Sequence, residues 1–491
     1  MIKIDPTPRF SLSPYLYMQF AEPLGTADTS VDAAWDYLND RWQPSAVEIF
    51  RRLAPTMIRW GGCFASYYHW QEAVGPRDKR KPMFNLCWDG IYPNQVGTAE
   101  FVELCRTLQA EPLMCVNMES DGRRTWAYPR PGENRLGTAQ EAADWVAYCN
   151  DPDNTLRRSH GAAEPYNIRY WQIGNETSFP YTTAGAEPKK VCDGFNVQQT
   201  IDATRRFASA MRRVDPGLKL IAWGDSNWAP EICEHCGDLV DLIAFHYHYV
   251  YPDTGENGPV HGVEYRRDFD KTWATLMDTH KSVAQTIANI REQVAPYGKR
   301  LAMTEGHYQI DGRNRGDVLA SWAAGVAYAR ILNLIARNAD VLDIATCADF
   351  FGNRWQVNAV ILPTPAWSGK AYLMPVGEVM SLFRHHTGES AVAVHCGNSS
   401  ADITASRTGD RIYLHIANTD KDHALELPLE VENFRIDEAA AWEINADPQQ
   451  EITQCTPDIF QPQKRVINPE KYTISPASVA AVELKISPLK Q

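Results

Sequence analysis

A chain of 491 residues is longer than one hydrophobic core usually serves, which favours a large domain with a smaller companion. Its net charge of -13 argues against nucleic acid and anionic membrane surfaces, which are bound by clustered lysine and arginine. With 44% hydrophobic and 22% charged residues, the composition is that of a folded globular protein. A neutral partner is therefore expected.

The amino terminus, Met1-Ile-Lys-Ile-Asp-Pro6, lacks the apolar region of a secretory signal, and no run of about eighteen apolar residues could span a bilayer. We therefore expect a cytoplasmic protein. The cysteines number 11, an odd count, and several lie in apolar runs, which is typical of free thiols. The pair Cys233-x-x-Cys236 has no second pair to complete a metal site, so neither a metal nor a cofactor is predicted.

Short apolar runs alternate with helical patterns along the first three quarters of the chain, as in parallel βαβ units. The predicted strands are Tyr15–Glu22, Met57–Gly62, Pro112–Met118, Ile168–Glu176, Leu218–Gly224, Val240–His248, Arg300–His307 and Val341–Phe351. The predicted helices include Thr98–Ala110, Thr138–Cys149, Phe195–Val214, Ser282–Val294 and Asp317–Asn338. Eight such units close a barrel, so the fold class is α/β, with a (β/α)8 TIM barrel over residues 15–387.

After about Thr387 the sequence pattern changes to short segments in which apolar and polar residues alternate. Examples are Arg411–Ala417, Ala424–Leu429 and Ser478–Ile486, separated by Asn, Asp and Gly. Such alternation is typical of an antiparallel β-sandwich. Residues 388–491 are therefore expected to form a jelly-roll-like C-terminal β-sandwich domain.

Two carboxylates end predicted barrel strands: Glu176 the fourth and Glu305 the seventh. The carboxyl ends of barrel strands converge on one face, where active sites lie. A single glutamate there is ordinarily a solvated loop residue, but two of them favour the acid and nucleophile or base that glycosidic cleavage requires. Asn175, beside Glu176, can hydrogen-bond a substrate hydroxyl next to the reacting centre.

Other chemistries lack their parts in this sequence. The chain has no Gly-x-Ser-x-Gly elbow, no phosphate-binding Gly-x-x-x-x-Gly-Lys-Ser/Thr loop and no His-Glu-x-x-His helix. His246 and His248 share a strand face and could form half of a metal site. Histidines lining a sugar pocket are the better interpretation, because no set of carboxylate ligands is evident nearby.

Several runs in order resemble the clan A glycoside hydrolases, and more closely the family 51 α-L-arabinofuranosidases. They are Leu12-Ser-Pro-Tyr-Leu-Tyr-Met-Gln-Phe-Ala-Glu22, Ile58-Arg-Trp-Gly-Gly-Cys-Phe64, Tyr68-His-Trp70, Asn85-Leu-Cys-Trp88 and Asn94-Gln-Val-Gly-Thr-Ala-Glu-Phe101. The resemblance covers most of the chain. It implies a retaining enzyme whose N-terminal residues 1–14 add a strand to the β-sandwich, and an oligomer, often a hexamer.

By the same resemblance, Glu176 carries over as the general acid/base and Glu305 as the nucleophile. The residues implied to bind the substrate are Glu22, Cys63, Trp88, Asn175, His246 and Gln356, and His248 joins them by its place on the strand face of His246. The expected reaction is the release of single α-L-arabinofuranosyl residues from arabinan, arabinoxylan or their oligosaccharides by an exo-acting enzyme. The partner would then be a carbohydrate.

Two departures from the family pattern touch the pocket. The family has a tyrosine where this chain has His248, and Trp-Asn-Val-Trp where Gly306-His-Tyr-Gln309 follows the nucleophile. The insert Met118–Leu136 either shapes the aglycone side or is a plain surface loop. The alternatives are therefore a clan A retaining hydrolase of another specificity, such as a galactofuranosidase or an endo-β-glucanase, and a carbohydrate-binding barrel without catalysis.

Overall fold

The computed structural model describes residues 1–24, 30–85, 90–120, 135–179, 181–182, 191–192, 194–249, 264–308, 316–353, 356–364 and 368–489. An eight-stranded parallel sheet forms a barrel, and an antiparallel sheet domain follows it, so the predicted fold class is confirmed. Within these ranges no helix is both long and apolar enough to cross a membrane.

The barrel strands follow one another around the sheet in chain order. They are Met18–Ala21, Met57–Trp60, Glu111–Val116, Tyr170–Ile173, Lys219–Trp223, Leu242–Tyr249, Arg300–Tyr308 and Leu342–Ile344. A parallel bridge between Tyr15 and Ile344 joins the eighth strand back to the first. Each strand overlaps its predicted segment, because strands buried on both faces stand out as short apolar runs.

Helices follow every barrel strand and cover the outside of the sheet. They are Pro44–Leu53, Thr98–Leu108, Ala139–Asn150, Val197–Val214, Ala229–Cys236, Phe269–Asp278, His280–Val294, Trp322–Arg337 and Pro375–His385, with two shorter helices, Ser30–Ala34 and Thr155–Ser159. The helix Val197–Val214 shows the local cause: Asn196 and Gln199 form a reciprocal capping box at its start. Its apolar positions recur every three or four residues, so one face packs onto the barrel.

The interior of the barrel is a packed apolar core rather than a channel. Its buried members are Met18, Met57, Leu113, Ile221, Trp223, Leu242, Ala244, Ala302 and Ile344. Close packing of this kind holds the strand ends in fixed positions. The strand ends therefore hold the polar residues that follow them in fixed positions.

Small sheets surround the carboxyl ends of the barrel strands. They pair Trp35–Asp36 with Arg41–Trp42, Met83–Asn85 with Gly90–Tyr92, Tyr181–Thr182 with Val191–Cys192, and Asp349–Gly352 with Asn358–Ile361 and Tyr372–Leu373. Each belongs to a segment that follows a barrel strand. These segments line the mouth of the barrel.

The second domain is built on one large sheet. Its strands, in spatial order, are Leu429–Val431, Ile2–Ser11, Ser390–Cys396, Ala401–Thr408, Arg411–Asn418, Val479–Pro488, Phe434–Ile444 and Gln463–Val466. The pairs are antiparallel except for the parallel contact between Ile2–Ser11 and Leu429–Val431. A two-stranded sheet, Leu425–Glu426 with Thr473–Ile474, shares the apolar core of the large sheet.

The helix Trp322–Arg337, which follows the seventh barrel strand, is held by the second domain. The first two amides of the helix, those of Trp322 and Ala323, donate to carbonyl groups of residues 450 and 448, both at 2.9 Å. Asp402 accepts hydrogen bonds from Asn333 and Arg337 farther along the helix. The second domain therefore supplies partners that the start of this helix would otherwise lack.

Candidate active site

Glu176 lies just beyond the fourth barrel strand on an unusual stretch of backbone. The strand Tyr170–Ile173 is followed by Gly174, which has a φ of 76°, and Glu176 itself has a φ of 47°. A glutamate in this left-handed region costs on the order of 1 kcal/mol, and such strain is typical of functional sites. The turn leaves the side chain of Glu176 only 3% exposed.

Glu305 is placed by an irregularity between the sixth and seventh strands. Phe245 lies opposite Met303, but His246 lies opposite Glu305, so Thr304 is an extra residue in the seventh strand. A bulge of this kind redirects the side chains that follow it. As a result Glu305 faces the same gap as His246.

The two carboxylates face each other across a short distance. One carboxylate oxygen of Glu176, one of Glu305 and a ring nitrogen of His248 all lie within 4.8 Å of one another. Carboxyl groups about 5 Å apart are typical of retaining glycosidases, whereas inverting enzymes separate them by about 6.5–9.5 Å to admit a water. This spacing suits attack by one carboxylate on a sugar whose leaving oxygen is protonated by the other carboxyl group.

His246 connects the first carboxylate to the bulge. Its Nδ1 lies 2.8 Å from Oε1 of Glu176, and its Nε2 lies 2.9 Å from Oγ1 of Thr304. Burial lowers the pKa of His246 to about 3, so the imidazole is neutral near pH 7. A neutral imidazole donates through one nitrogen and accepts through the other. If the imidazole changes tautomer and the Thr304 hydroxyl reverses its hydrogen bond, His246 can bond to Glu176 whether that carboxyl group is ionised or protonated.

Arg59 is the buried partner of the second carboxylate. It is 0% exposed, and its three guanidinium nitrogens lie 2.7 Å from Oε1 of Glu305, 2.8 Å from Oε1 of Gln172 and 2.6 Å from Oδ1 of Asn175. Such a set satisfies the charge that burial would otherwise make costly. It also fixes Glu305 and Asn175 relative to each other.

The charge of Glu305 is set by opposing influences. Burial is the largest and raises the pKa of Glu305, and Glu176 raises it further. His246 and Arg59 act in the opposite direction. Only an ionised carboxylate can act as a nucleophile, and Arg59 favours that form of Glu305 whereas burial favours the protonated form.

The side-chain amide of Asn175 has a hydrogen-bond partner for its oxygen but none for its nitrogen among the described residues. Its Oδ1 accepts from Arg59, whereas Nδ2 is buried and has no hydrogen-bond partner among the residues that the structure describes. A buried amide donor without a partner is costly. A substrate hydroxyl next to the reacting carbon would satisfy it.

Glu22 and Cys63 lie at the neighbouring ends of the first two barrel strands. Oε1 of Glu22 accepts from the backbone amide of Phe64 at 3.1 Å. Gly62 has a φ of 109°, and a Cβ there would come 2.4 Å from the carboxyl carbon of Glu22. Gly62 is therefore required for this close approach. Cys63 begins the next turn and is 8% exposed.

The remaining predicted residues are less closely tied to the carboxylates. Gln356 precedes the strand Asn358–Ile361, and its Oε1 is buried without a hydrogen-bond partner among the described residues. No contact recorded between described residues links it to the carboxylate pair. Trp88 and most of the insert 118–136 lie outside the described residues.

His248 lies against His307, which in turn lies beside Asp349, and neither of these two was predicted as a site residue. Its ring stacks on His307 with centroids 4.3 Å apart, and Nδ1 of His307 lies 2.8 Å from Oδ1 of Asp349. Nε2 of His248 lies 4.0 Å from Oε2 of Glu305. His248 and His307, one from each departure noted in the sequence, therefore meet beside Glu305.

Arg59 was also missing from the predicted site, although the sequence contained a signal for it. It is the charged residue of the otherwise apolar strand Met57–Trp60. A charge inside such a strand must be paired or bound to a ligand. That argument, applied to the second strand, would have placed Arg59 near a carboxylate.

Two family models match this chain. Residues 49–267 match the "Alpha-L-arabinofuranosidase 1 domain", and residues 306–478 match the "Alpha-L-arabinofuranosidase C-terminal domain". The first match contains Glu176 and ends in the segment after the sixth strand. The second begins immediately after Glu305.

Individual relatives agree with these matches. The chain is 33% identical over 232 residues to the alpha-L-arabinofuranosidase C of Emericella nidulans, which covers 45% of this chain and 41% of that protein. It is 30% identical over 256 residues to the intracellular exo-alpha-(1->5)-L-arabinofuranosidase of Acetivibrio thermocellus, covering 48% of this chain and 45% of that protein. The chain spans about half the length of the curated relatives it matches.

Among solved structures, the GH51 alpha-L-arabinofuranosidase of Thermotoga petrophila has a TM-score of 0.76 at 24% identity, with 99% of each chain covered. At this identity the likeness shows a common fold. By both domain matches, by its relatives and by its fold, the chain resembles the α-L-arabinofuranosidases of glycoside hydrolase family 51.

Proposed function

We propose that this chain is a retaining, exo-acting α-L-arabinofuranosidase. The observation that carries the proposal is the pair of buried carboxylates at the ends of the fourth and seventh strands, with oxygens of Glu176 and Glu305 within 4.8 Å. Two relatives named as arabinofuranosidases support the choice of sugar. The proposed substrates are arabinan, arabinoxylan and their oligosaccharides.

In the proposed first step, Glu305 attacks the anomeric carbon and forms a covalent glycosyl ester. The bond to the leaving oxygen breaks, and Glu176 gives that oxygen its proton. In the second step, Glu176, now ionised, takes a proton from water as the water attacks the same carbon and releases Glu305. The tautomer change available to His246 matches both states of Glu176.

The glycone would be held by polar groups in the segments that follow the barrel strands. Nδ2 of Asn175 is a buried donor for a hydroxyl, and Glu22 and Oε1 of Gln356 are acceptors. We also assign Cys63, Trp88, His246 and His248 to substrate binding. Buried polar groups that lose a partner hydroxyl cost about 1–3 kcal/mol each, so such a pocket would discriminate sharply between sugars.

We further propose that residues 15–387 form the catalytic domain and that residues 1–14 and 388–491 form its companion. Pairing between Ile2–Ser11 and Ser390–Cys396 supports this division. A homo-oligomer, and specifically a hexamer, also belongs to the proposal, as does an intracellular site of action, which the name of the Acetivibrio relative supports.

A panel of aryl glycosides tests the proposed specificity. We expect hydrolysis of aryl α-L-arabinofuranoside to exceed that of β-D-galactofuranoside, β-D-xyloside and β-D-glucoside by about 100-fold or more in kcat/KM, because each misplaced hydroxyl leaves a buried group unpaired. Matched concentrations and a single leaving group make the comparison direct. A preference for either pyranoside would contradict the furanosidase assignment and leave the carboxylate pair in place.

A further inference from the structure

Three adjacent barrel strands place a row of ionisable side chains beside Glu305. His248 comes from the sixth strand and His307 from the seventh, directly opposite it in the parallel register, and Asp349 follows the eighth. The rings of His248 and His307 stack at 4.3 Å with 20° between their planes. Nδ1 of His307 lies 2.8 Å from Asp349. We call these three residues the histidine relay.

One end of the histidine relay points into the catalytic gap. Nε2 of His248 lies 4.0 Å from Oε2 of Glu305, and a ring nitrogen of His248 lies within 4.8 Å of a carboxylate oxygen of Glu176. Oε1 of Glu305 already bonds to Arg59 at 2.7 Å. Oε2 is therefore the oxygen that His248 can reach. Hydrogen bonds in substrate-free enzymes are often long and tighten when substrate binds.

The charges around the relay favour a single proton on the two rings. Two imidazolium groups stacked at 4.3 Å would repel each other strongly. Asp349 stabilises a proton on His307 by direct contact. Charged or titratable groups near this region include Glu305 on the seventh strand, Glu176 after the fourth, His246 on the sixth and Arg59 on the second. The two carboxylates also favour a proton on the rings.

We propose that His248 is a positioning residue for the nucleophile, in which the relay carries one proton and Nε2 of His248 donates a hydrogen bond to Oε2 of Glu305 in the substrate complex. This inference rests on the proposed function and adds to it a device that sets the pH range. A proton on the two rings favours the ionised form of Glu305 against its burial. When the rings lose that proton at higher pH, Glu305 stays ionised but loses the charged hydrogen-bond donor that positions it.

The test is the pH profile of kcat/KM, measured in a background that removes the other titrating group. In Glu176→Ala, a dinitrophenyl arabinofuranoside needs no proton from an acid, so any remaining alkaline limb belongs to the relay. Adding Asp349→Asn should move that limb down by about 1 pH unit, because His307 loses the charge that holds its proton. The acid limb should not move up, because at that pH the rings still hold their proton and the substitution removes a negative charge.

His307→Phe keeps a stacking ring that cannot be protonated. If the phenylalanine variant does not fold, His307→Gln is used in its place. With Glu176 intact, either is expected to lower kcat about 10-fold with little change in KM, since a displaced nucleophile affects attack more than binding. Matched controls are Asp410→Asn and His395→Phe, both exposed and in the second domain. pH limbs of the Asp349→Asn and His307 variants that coincide with those of the controls would overturn the proposal.

A second measurement needs no substrate and separates this inference from the proposed function. Imidazole ¹⁵N spectra of the free protein, recorded over pH for wild type and Asp349→Asn, should show two coupled histidines that share one proton near neutrality. The substitution should lower their common titration midpoint. Independent titration of His248 and His307, unchanged in Asp349→Asn, would refute the relay even if the chain hydrolyses arabinofuranosides. Coupled titration without hydrolysis would instead refute the function alone.

Discussion

Replacement of Glu305 by glutamine is expected to lower kcat/KM by about 10⁴-fold or more for every aryl arabinofuranoside, whatever its leaving group. The amide cannot form the covalent ester through which both steps pass. Because glutamine still offers an oxygen to Arg59, the buried cluster around Glu305 keeps its acceptor. Initial rates over a series of leaving groups, with thermal melting of each variant, measure the effect.

Two comparisons make this result specific. Glu430→Gln, at an exposed position on a strand of the second domain, removes the same charge elsewhere and should retain wild-type rates. Glu305→Ala should be as inactive as Glu305→Gln but less stable by about 3–5 kcal/mol, because the buried guanidinium of Arg59 then has no acceptor at all in place of Glu305. Normal hydrolysis of an activated substrate by Glu305→Gln would show that another group is the nucleophile.

Glu176→Ala is expected to separate substrates by leaving group. Hydrolysis of substrates with poor leaving groups should fall by about 10²–10⁴-fold, because general acid catalysis supplies roughly that factor. The first step on dinitrophenyl substrates should be nearly unchanged, since that leaving group departs without a proton. Water would then attack slowly without a base, so a burst of dinitrophenol followed by a slow steady state is expected in stopped-flow traces.

Azide provides the control for this variant. It is an anion that needs no base, so it should accelerate the slow second step of Glu176→Ala and yield a glycosyl azide of unchanged anomeric configuration. The same azide should not restore Glu305→Gln by this route. If Glu176→Ala lost the same factor on every leaving group, with no burst and no response to azide, Glu176 would not be the acid/base.

The sequence predicted the barrel well, because each strand is short, apolar on both faces and followed by a polar end. Glu176 and Glu305 could be found for the same reason: a carboxylate directly after an apolar strand is conspicuous. The left-handed backbone at Glu176 was not predicted, since it depends on how the turn after Gly174 meets its neighbours.

Pairings between distant segments were harder to predict. The extra residue Thr304, which brings His246 opposite Glu305, depends on the register of two strands and leaves no local pattern. The stack of His248 on His307 follows from that register. Gln356 is a different case: the family resemblance implies that it lies in the pocket, and this assignment stays a prediction.

The second domain shows the same limit. Alternation predicted its strands, but it could not predict that Ile2–Ser11 lies between Ser390–Cys396 and Leu429–Val431, with a parallel contact to the latter. The order of the strands in an antiparallel sheet depends on which strand edges are still free to pair. That information is spread over the whole chain.

The anomeric configuration of the first product tests the central claim most directly. Proton NMR of a dinitrophenyl α-L-arabinofuranoside, recorded in the first minutes before mutarotation, should show α-L-arabinose as the initial sugar, because two displacements at one carbon restore its configuration. This result would agree with carboxylate oxygens of Glu176 and Glu305 within 4.8 Å of each other. Initial release of β-L-arabinose would mean that water attacks directly and that Glu305 is not the nucleophile.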